Sequence, residues 1–121
     1  TENFQNPPSN VVVPKIIQAT PGKVVEGFPE ELILDSKNEI IQSYSATYPN
    51  SLVKQETVVF IPLKNIKTNY NFYLDWSKHN NWSVINSSEG ENVSLLYLRK
   101  EMEDINITIT ATHITISHIN K

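Results

Sequence analysis

The chain has 121 residues and a mass of 13.8 kDa, the size of one ordinary domain with a single core. A formal net charge of -3, a pI near 5.5 and Lys and Arg spread thinly along the sequence argue against a nucleic-acid surface. The absence of cysteine excludes disulfides, Cys-ligated zinc and thiol nucleophiles, and no stretch reaches the roughly 20 apolar residues needed to cross a bilayer.

The start, Thr1-Glu2-Asn3-Phe4, has neither an initiator Met nor a signal-peptide pattern, so a mature or trimmed chain is expected, with any membrane anchor upstream of Thr1. Five of the seven prolines fall before residue 30, together with Gly22 and Gly27. Residues 1–27 therefore read as an extended arm and 28–121 as one folded domain. Within the arm, Val11-Val12-Val13-Pro14-Lys15-Ile16-Ile17 is β-branched and apolar. Its proline cannot donate to a ladder, so this segment is expected to cover a sheet edge, in its own domain or in a neighbouring copy.

Glu39 to Tyr48 reads as a strand stopped by Pro49-Asn50, and Val53 to Ile61 as a second strand ended by Pro62, the two forming an antiparallel hairpin. From Asn65 to Asn80 the period is helical: Ile66, Tyr70, Tyr73, Leu74 and Ser77 share one face, with Trp76 beside them. Asn65 is the expected N-cap, and Asn81 is expected to end the helix in the left-handed conformation. Strands follow at Trp82–Ile85 and Val93–Lys100, with a polar loop from Asn86 to Glu91 between them and an acidic turn over Glu101–Glu103 after them. In Ile105-Asn106-Ile107-Thr108-Ile109 the apolar residues are odd-numbered, whereas beyond His113 they are Ile114 and Ile116. That parity change requires a bulge or a tight turn near Thr112-His113. The expected fold is α+β, an antiparallel sheet of five to six strands with one helix packed on it, in the order β-β-α-β-β-β.

Gly27-Phe28-Pro29 ahead of Leu32, the Phe72-Tyr73 pair on the helix and Trp82 ten residues after Phe72 carry a resemblance to uncharacterised small bacterial extracytoplasmic α+β domains, found as heads of lipoproteins or membrane-anchored envelope proteins. The likeness spans roughly residues 27–119. Asn81 stands where that class usually has Gly, and Ile33 where it tends to have Pro. The resemblance implies a place in the cell envelope and no particular reaction.

Aromatics at helical spacing are read first as core, which places Tyr70, Tyr73 and Trp82 against the sheet. Phe72 lies toward the other side of the helix and Trp76 near its edge, which makes these two the candidate binding residues. A Ser77, His79 and Asp75 triad fails because residues two apart on a helix point to different sides. His79 in the last turn is explained by the helix dipole. His113 and His118 face opposite sides of a regular strand and have no evident third ligand. Glu101, Glu103 and Asp104 match no calcium-loop spacing and read as a solvated hairpin end beside Arg99 and Lys100. Sequons at Asn81, Asn86, Asn92 and Asn106 are what an Asn-, Ser- and Thr-rich chain yields by chance. No catalytic residue, metal site or cofactor is expected.

The sequence thus leads to a non-enzymatic extracytoplasmic structural or protein-binding module of a bacterial envelope or surface protein, with a filament-subunit head as one form. A protein partner or self-association is expected, no nucleic acid, and contact with a membrane only through an upstream anchor. The alternative is a small-molecule or glycan binder that uses Phe72 and Trp76.

Overall fold

The computed structural model describes residues 13–35, 37–49 and 51–121, so the first twelve residues of the arm, including Val11 and Val12, lie outside it. Seven strands form one antiparallel sheet: β1 (Lys15–Gln18), β2 (Glu39–Thr47), β3 (Lys54–Ile61), β4 (Ser83–Ser88), β5 (Val93–Lys100), β6 (Glu103–Thr110) and β7 (Ile114–Asn120). Among the described residues one α-helix, α1 (Ile66–His79), lies between β3 and β4 in the chain. In space the order is β1-β2-β3-β7-β6-β5-β4. The helix carries the chain from the middle of the sheet to its far edge, and three successive hairpins return it until β7 pairs with β3.

The α+β class and the antiparallel sheet with one helix agree with the sequence reading, but the strand count and order do not. Lys15–Gln18 pairs antiparallel with Tyr44–Thr47 and adds a strand before the β2–β3 hairpin. The sequence reading sets this segment against a sheet edge without counting it as a strand, because four residues are too few for a periodic signal. The covered edge is thus in the chain's own domain. At the other end the isoleucine run divides into β6 and β7. Thr110 N–H donates to the His113 carbonyl at 2.9 Å, and Ile109 pairs with Ile114. An odd residue facing an even one across the turn is the origin of the parity change. Strand β4 also runs further than expected, through Asn86-Ser87-Ser88, because β5 supplies a ladder partner that a polar sequence does not advertise.

One face of the sheet carries the core. Val58 and Phe60 of β3, Leu96 and Leu98 of β5, Ile105, Ile107 and Ile109 of β6 and Ile114 and Ile116 of β7 are all buried there. Each such side chain contributes roughly 1.5–3 kcal/mol of hydrophobic stabilisation. The helix covers the β4–β5–β6 half of this face. A loop bearing Val25, Phe28 and Leu32 completes the core. That loop is fixed by Val25 N–H on Ser43 Oγ at 2.7 Å and by Ala19 N–H on the Ser43 carbonyl at 2.9 Å. Helix and loop meet where the buried Tyr73 hydroxyl donates to the Leu32 carbonyl at 2.8 Å. Burial pushes this phenol well above its ordinary pKa, so it acts as a fixed donor.

Both helix ends follow the sequence reading. Asn65 Oδ1 accepts from Thr68 N–H at 2.8 Å. Asn81 has φ 62°, with Trp82 N–H on the Ser77 carbonyl at 2.8 Å and Asn81 N–H on the Lys78 carbonyl at 3.4 Å, the paired bonds of a Schellman end.

Candidate functional site

The two edges of the sheet are β1 and β4. Strand β1 is four residues long and follows Pro14, which limits its use as a pairing template. Strand β4, Ser83-Val84-Ile85-Asn86-Ser87-Ser88, has every residue exposed and carries no charge and no proline. Its inner side pairs with β5, with an irregularity between Val84 and Asn86 that leaves Ile85 outside the register. Its outer side has no strand partner among the described residues. Val84 is 39% and Ile85 49% exposed; Val84 stands opposite Leu98, and the exposed Leu95 stands opposite Ser88 at the other end of the strand. This strand carries neither an outward lysine nor a proline, and the irregularity at Ile85 is the one interruption of its edge.

Neither Phe72 nor Trp76 lines the depression at the start of α1 or the one over β4, β5 and β6. Phe72 is 42% exposed and meets Tyr73 edge to face, with centroids 5.5 Å apart. Trp76 packs beside Trp82 at 5.8 Å, and the Trp82 ring has Lys100 Nζ 6.0 Å from its centre. The same ammonium donates to the Asn80 carbonyl at 2.9 Å, tying the helix end to β5. The depressions of the surface lie elsewhere. One of about 620 Å³ lies at the start of α1, between Asn65, Ile66, Lys67 and the Glu89–Glu91 loop. Another, of about 270 Å³, lies over β4, β5 and β6 and includes Leu95, Tyr97 and Asn106.

The acidic residues after Lys100 are not a solvated hairpin end. Only Glu101 and Met102 make the turn, with Glu101 at φ 54°. Asp104 is buried in β6 and accepts from Arg99 Nε at 2.9 Å and from the Tyr97 hydroxyl at 2.9 Å, with Lys121 Nζ at 2.8 Å. The Arg99 guanidinium, followed by Lys121 and Tyr97, holds this carboxyl well below the usual carboxylate range despite its burial. The same carboxylate raises the Arg99 pKa.

His113 and His118 sit at opposite ends of β7. His113 is exposed in the turn, where Thr112 Oγ1 lies 3.0 Å from Nδ1. His118 is only 7% exposed and lies between two carboxylates, with Nδ1 2.6 Å from Glu56 Oε1 and Nε2 2.7 Å from Glu103 Oε1. Lys54 Nζ is 3.6 Å from the other oxygen of Glu56. Gly27, at φ 95°, rests on this group, and a Cβ there would come within 3.2 Å of Glu56 Oε2. The Gly-Phe-Pro segment therefore needs glycine both for its backbone angle and for the close approach. Both ring nitrogens face carboxylates on opposite sides, so the three groups do not converge on one point. Among the described residues no set of His, Asp and Glu is arranged to hold a metal ion.

Sequence reasoning missed this cluster. Alternation places Glu56 inward with Val58 and Phe60, Glu103 with Ile105, and His118 with Ile114 and Ile116. The period of two carried that signal, but the pairing of β3 with β7 is what brings the three together.

No family model, curated protein or solved structure matches this chain.

Proposed function

We propose that this chain is a non-enzymatic, protein-binding module that takes its partner along the outer edge of β4. The observation that carries the reading is the edge itself: six exposed, uncharged residues whose outward backbone groups have no strand partner among the described residues. Such an edge binds an extended segment through main-chain hydrogen bonds, with Val84 and Ile85 giving apolar contact. A place in a bacterial envelope, as a surface domain or filament-subunit head held by an upstream anchor, rests on the resemblance of the Gly27-Phe28-Pro29, Phe72-Tyr73 and Trp82 segments. The small-molecule or glycan reading keeps only the exposed ring of Phe72 in its favour, since Trp76 is turned onto Trp82.

A photo-crosslinking side chain at position 85 tests the proposal. It is expected to give a discrete protein adduct that Val84→Lys abolishes, while the same group at Lys67 on the helix gives none. Equal labelling from both positions would rule out the β4 edge.

A further inference from the structure

The face of the sheet away from the helix and the loop has a composition of its own. Along the register, Tyr44 of β2 stands opposite Thr57, Thr57 opposite Ser117, Ser117 opposite Asn106, Asn106 opposite Tyr97, and Tyr97 opposite Asn86 of β4. Their chain neighbours Val58, Ile116, Ile107 and Leu96 point into the core, so alternation turns this line outward. Six residues on six strands thus form one line in which every side chain carries a hydroxyl or an amide and none carries a charge. The adjacent line is uncharged too, with Thr115 opposite Thr108, Thr108 opposite Leu95 and Leu95 opposite Ser88.

The depression of about 270 Å³ lies on this face, between the two lines, and its outward lining is Asn86, Ser88, Leu95, Tyr97, Asn106 and Thr108. Leu95 is 45% exposed, and Asn86, Ser88 and Asn106 are exposed around it. The half-buried Tyr97 ring is fixed from its hydroxyl end, which donates to Asp104 Oδ2 at 2.9 Å and accepts from Arg99 Nη2 at 3.0 Å. Asp104 is in turn paired with Arg99 and Lys121, so the charges beside the ring already have partners. An aromatic ring and an aliphatic side chain are therefore framed by two amides and two hydroxyls before any ligand arrives, which lowers the cost of ordering the site on binding.

We propose that this open face is a binding platform for a neutral, linear polysaccharide. A sugar ring has a face of C–H groups and a rim of hydroxyls. The C–H face fits against the electron-rich face of Tyr97 and against Leu95. The rim fits Asn86 and Asn106, whose amides each present donors and an acceptor side by side, and Ser88 and Thr108, whose hydroxyls do both. A charged polymer finds no counter-charge in either line, and serine and threonine are under-represented among the residues that carry binding energy between proteins. At a strand spacing of about 4.8 Å, Tyr44 and Tyr97 stand roughly 19 Å apart, a span that suits a chain of several sugar rings and not a single one. The platform uses side chains normal to the sheet, whereas the proposed protein edge uses the outward backbone of β4, so neither reading rests on the other. Phe72 and Trp76, on the helix side, take no part in it.

NMR titration of the full chain with cellohexaose and with chitohexaose, two soluble linear chains of neutral sugars, tests the platform. Each at millimolar concentration is expected to shift the backbone amides of residues 86–88, 95–97 and 106–108, and glucose at the same concentration to shift them far less. Tyr97→Ala should weaken binding about tenfold, and Tyr97→Phe, which keeps the ring, should weaken it less. Asn106→Ala, at an exposed position where the fold loses nothing, should also weaken binding, by about tenfold at most. Three results would overturn the proposal: no shift with either hexasaccharide, shifts confined to the helix around Phe72, or shifts at the same amides that grow with protein concentration in the absence of sugar, which would assign the face to a second copy of the chain. The cross-link from position 85 reads the edge and not the face, so its failure leaves this result unaffected.

Discussion

The two halves of the sheet are covered by different kinds of structure. Over β4, β5 and β6 lies a helix with its own start and stop, Asn65 capping Thr68 at one end and Asn81 turning left-handed at the other. The core toward β2 and β3 is completed by a loop whose only regular element among the described residues is a short 3-10 turn, Glu30–Leu32. The helix brings local order to the sheet and adds packing. The loop has little local order, and its position comes from distant contacts: Val25 on Ser43, Asn38 Nδ2 on the Ile61 carbonyl at 2.8 Å, and Leu32 on Tyr73. A cover of the first kind should tolerate the loss of one contact better than a cover of the second kind.

The largest expected effect is in the loop half. Leu32 is fully buried, and Leu32→Ala removes a core side chain from the loop while leaving the carbonyl that Tyr73 bonds. A loss of about 2–5 kcal/mol is expected in denaturant melts, with protease cleavage appearing first within residues 19–35. Cleavage beginning in the helix instead would reverse the ranking of the two halves.

In the helix half the effect should be smaller and confined to the end. Asn81→Val forces a β-branched residue to φ 62° and is expected to destabilise by about 1 kcal/mol or more. Asn81→Gly should be neutral or slightly stabilising. A melting temperature unchanged by valine would mean that the Schellman end contributes nothing.

The smallest effect concerns the face away from both covers. Asp104 has its pKa depressed, first by Arg99, so the stability it contributes is present above the unfolded carboxylate range near pH 4 and is lost as the pH falls through its lower folded value. Asp104→Asn should therefore show a shallower loss of stability between pH 4 and pH 2 than the parent. Identical acid curves would show that the partly exposed Arg99 and Lys121 partners are screened by solvent.

Local patterns in the sequence determined the α+β class, the β2–β3 hairpin, the helix with its Asn65 cap and Asn81 stop, the inward isoleucines of β6 and the break before Ile114. Each depends on periods of two or 3.6 residues, or on a side chain bonding a few residues away, and such physics is contained within a short segment. Tertiary structure alone decided the rest. Strand β1 exists because β2 offers an edge, since Lys15-Ile16-Ile17-Gln18 has no ladder of its own. Ser87 and Ser88 are strand because β5 lies beside them. Glu56 and His118 stand 62 residues apart and meet only when β7 returns to β3, so their contact belongs to the pairing of strands and to no segment of the sequence.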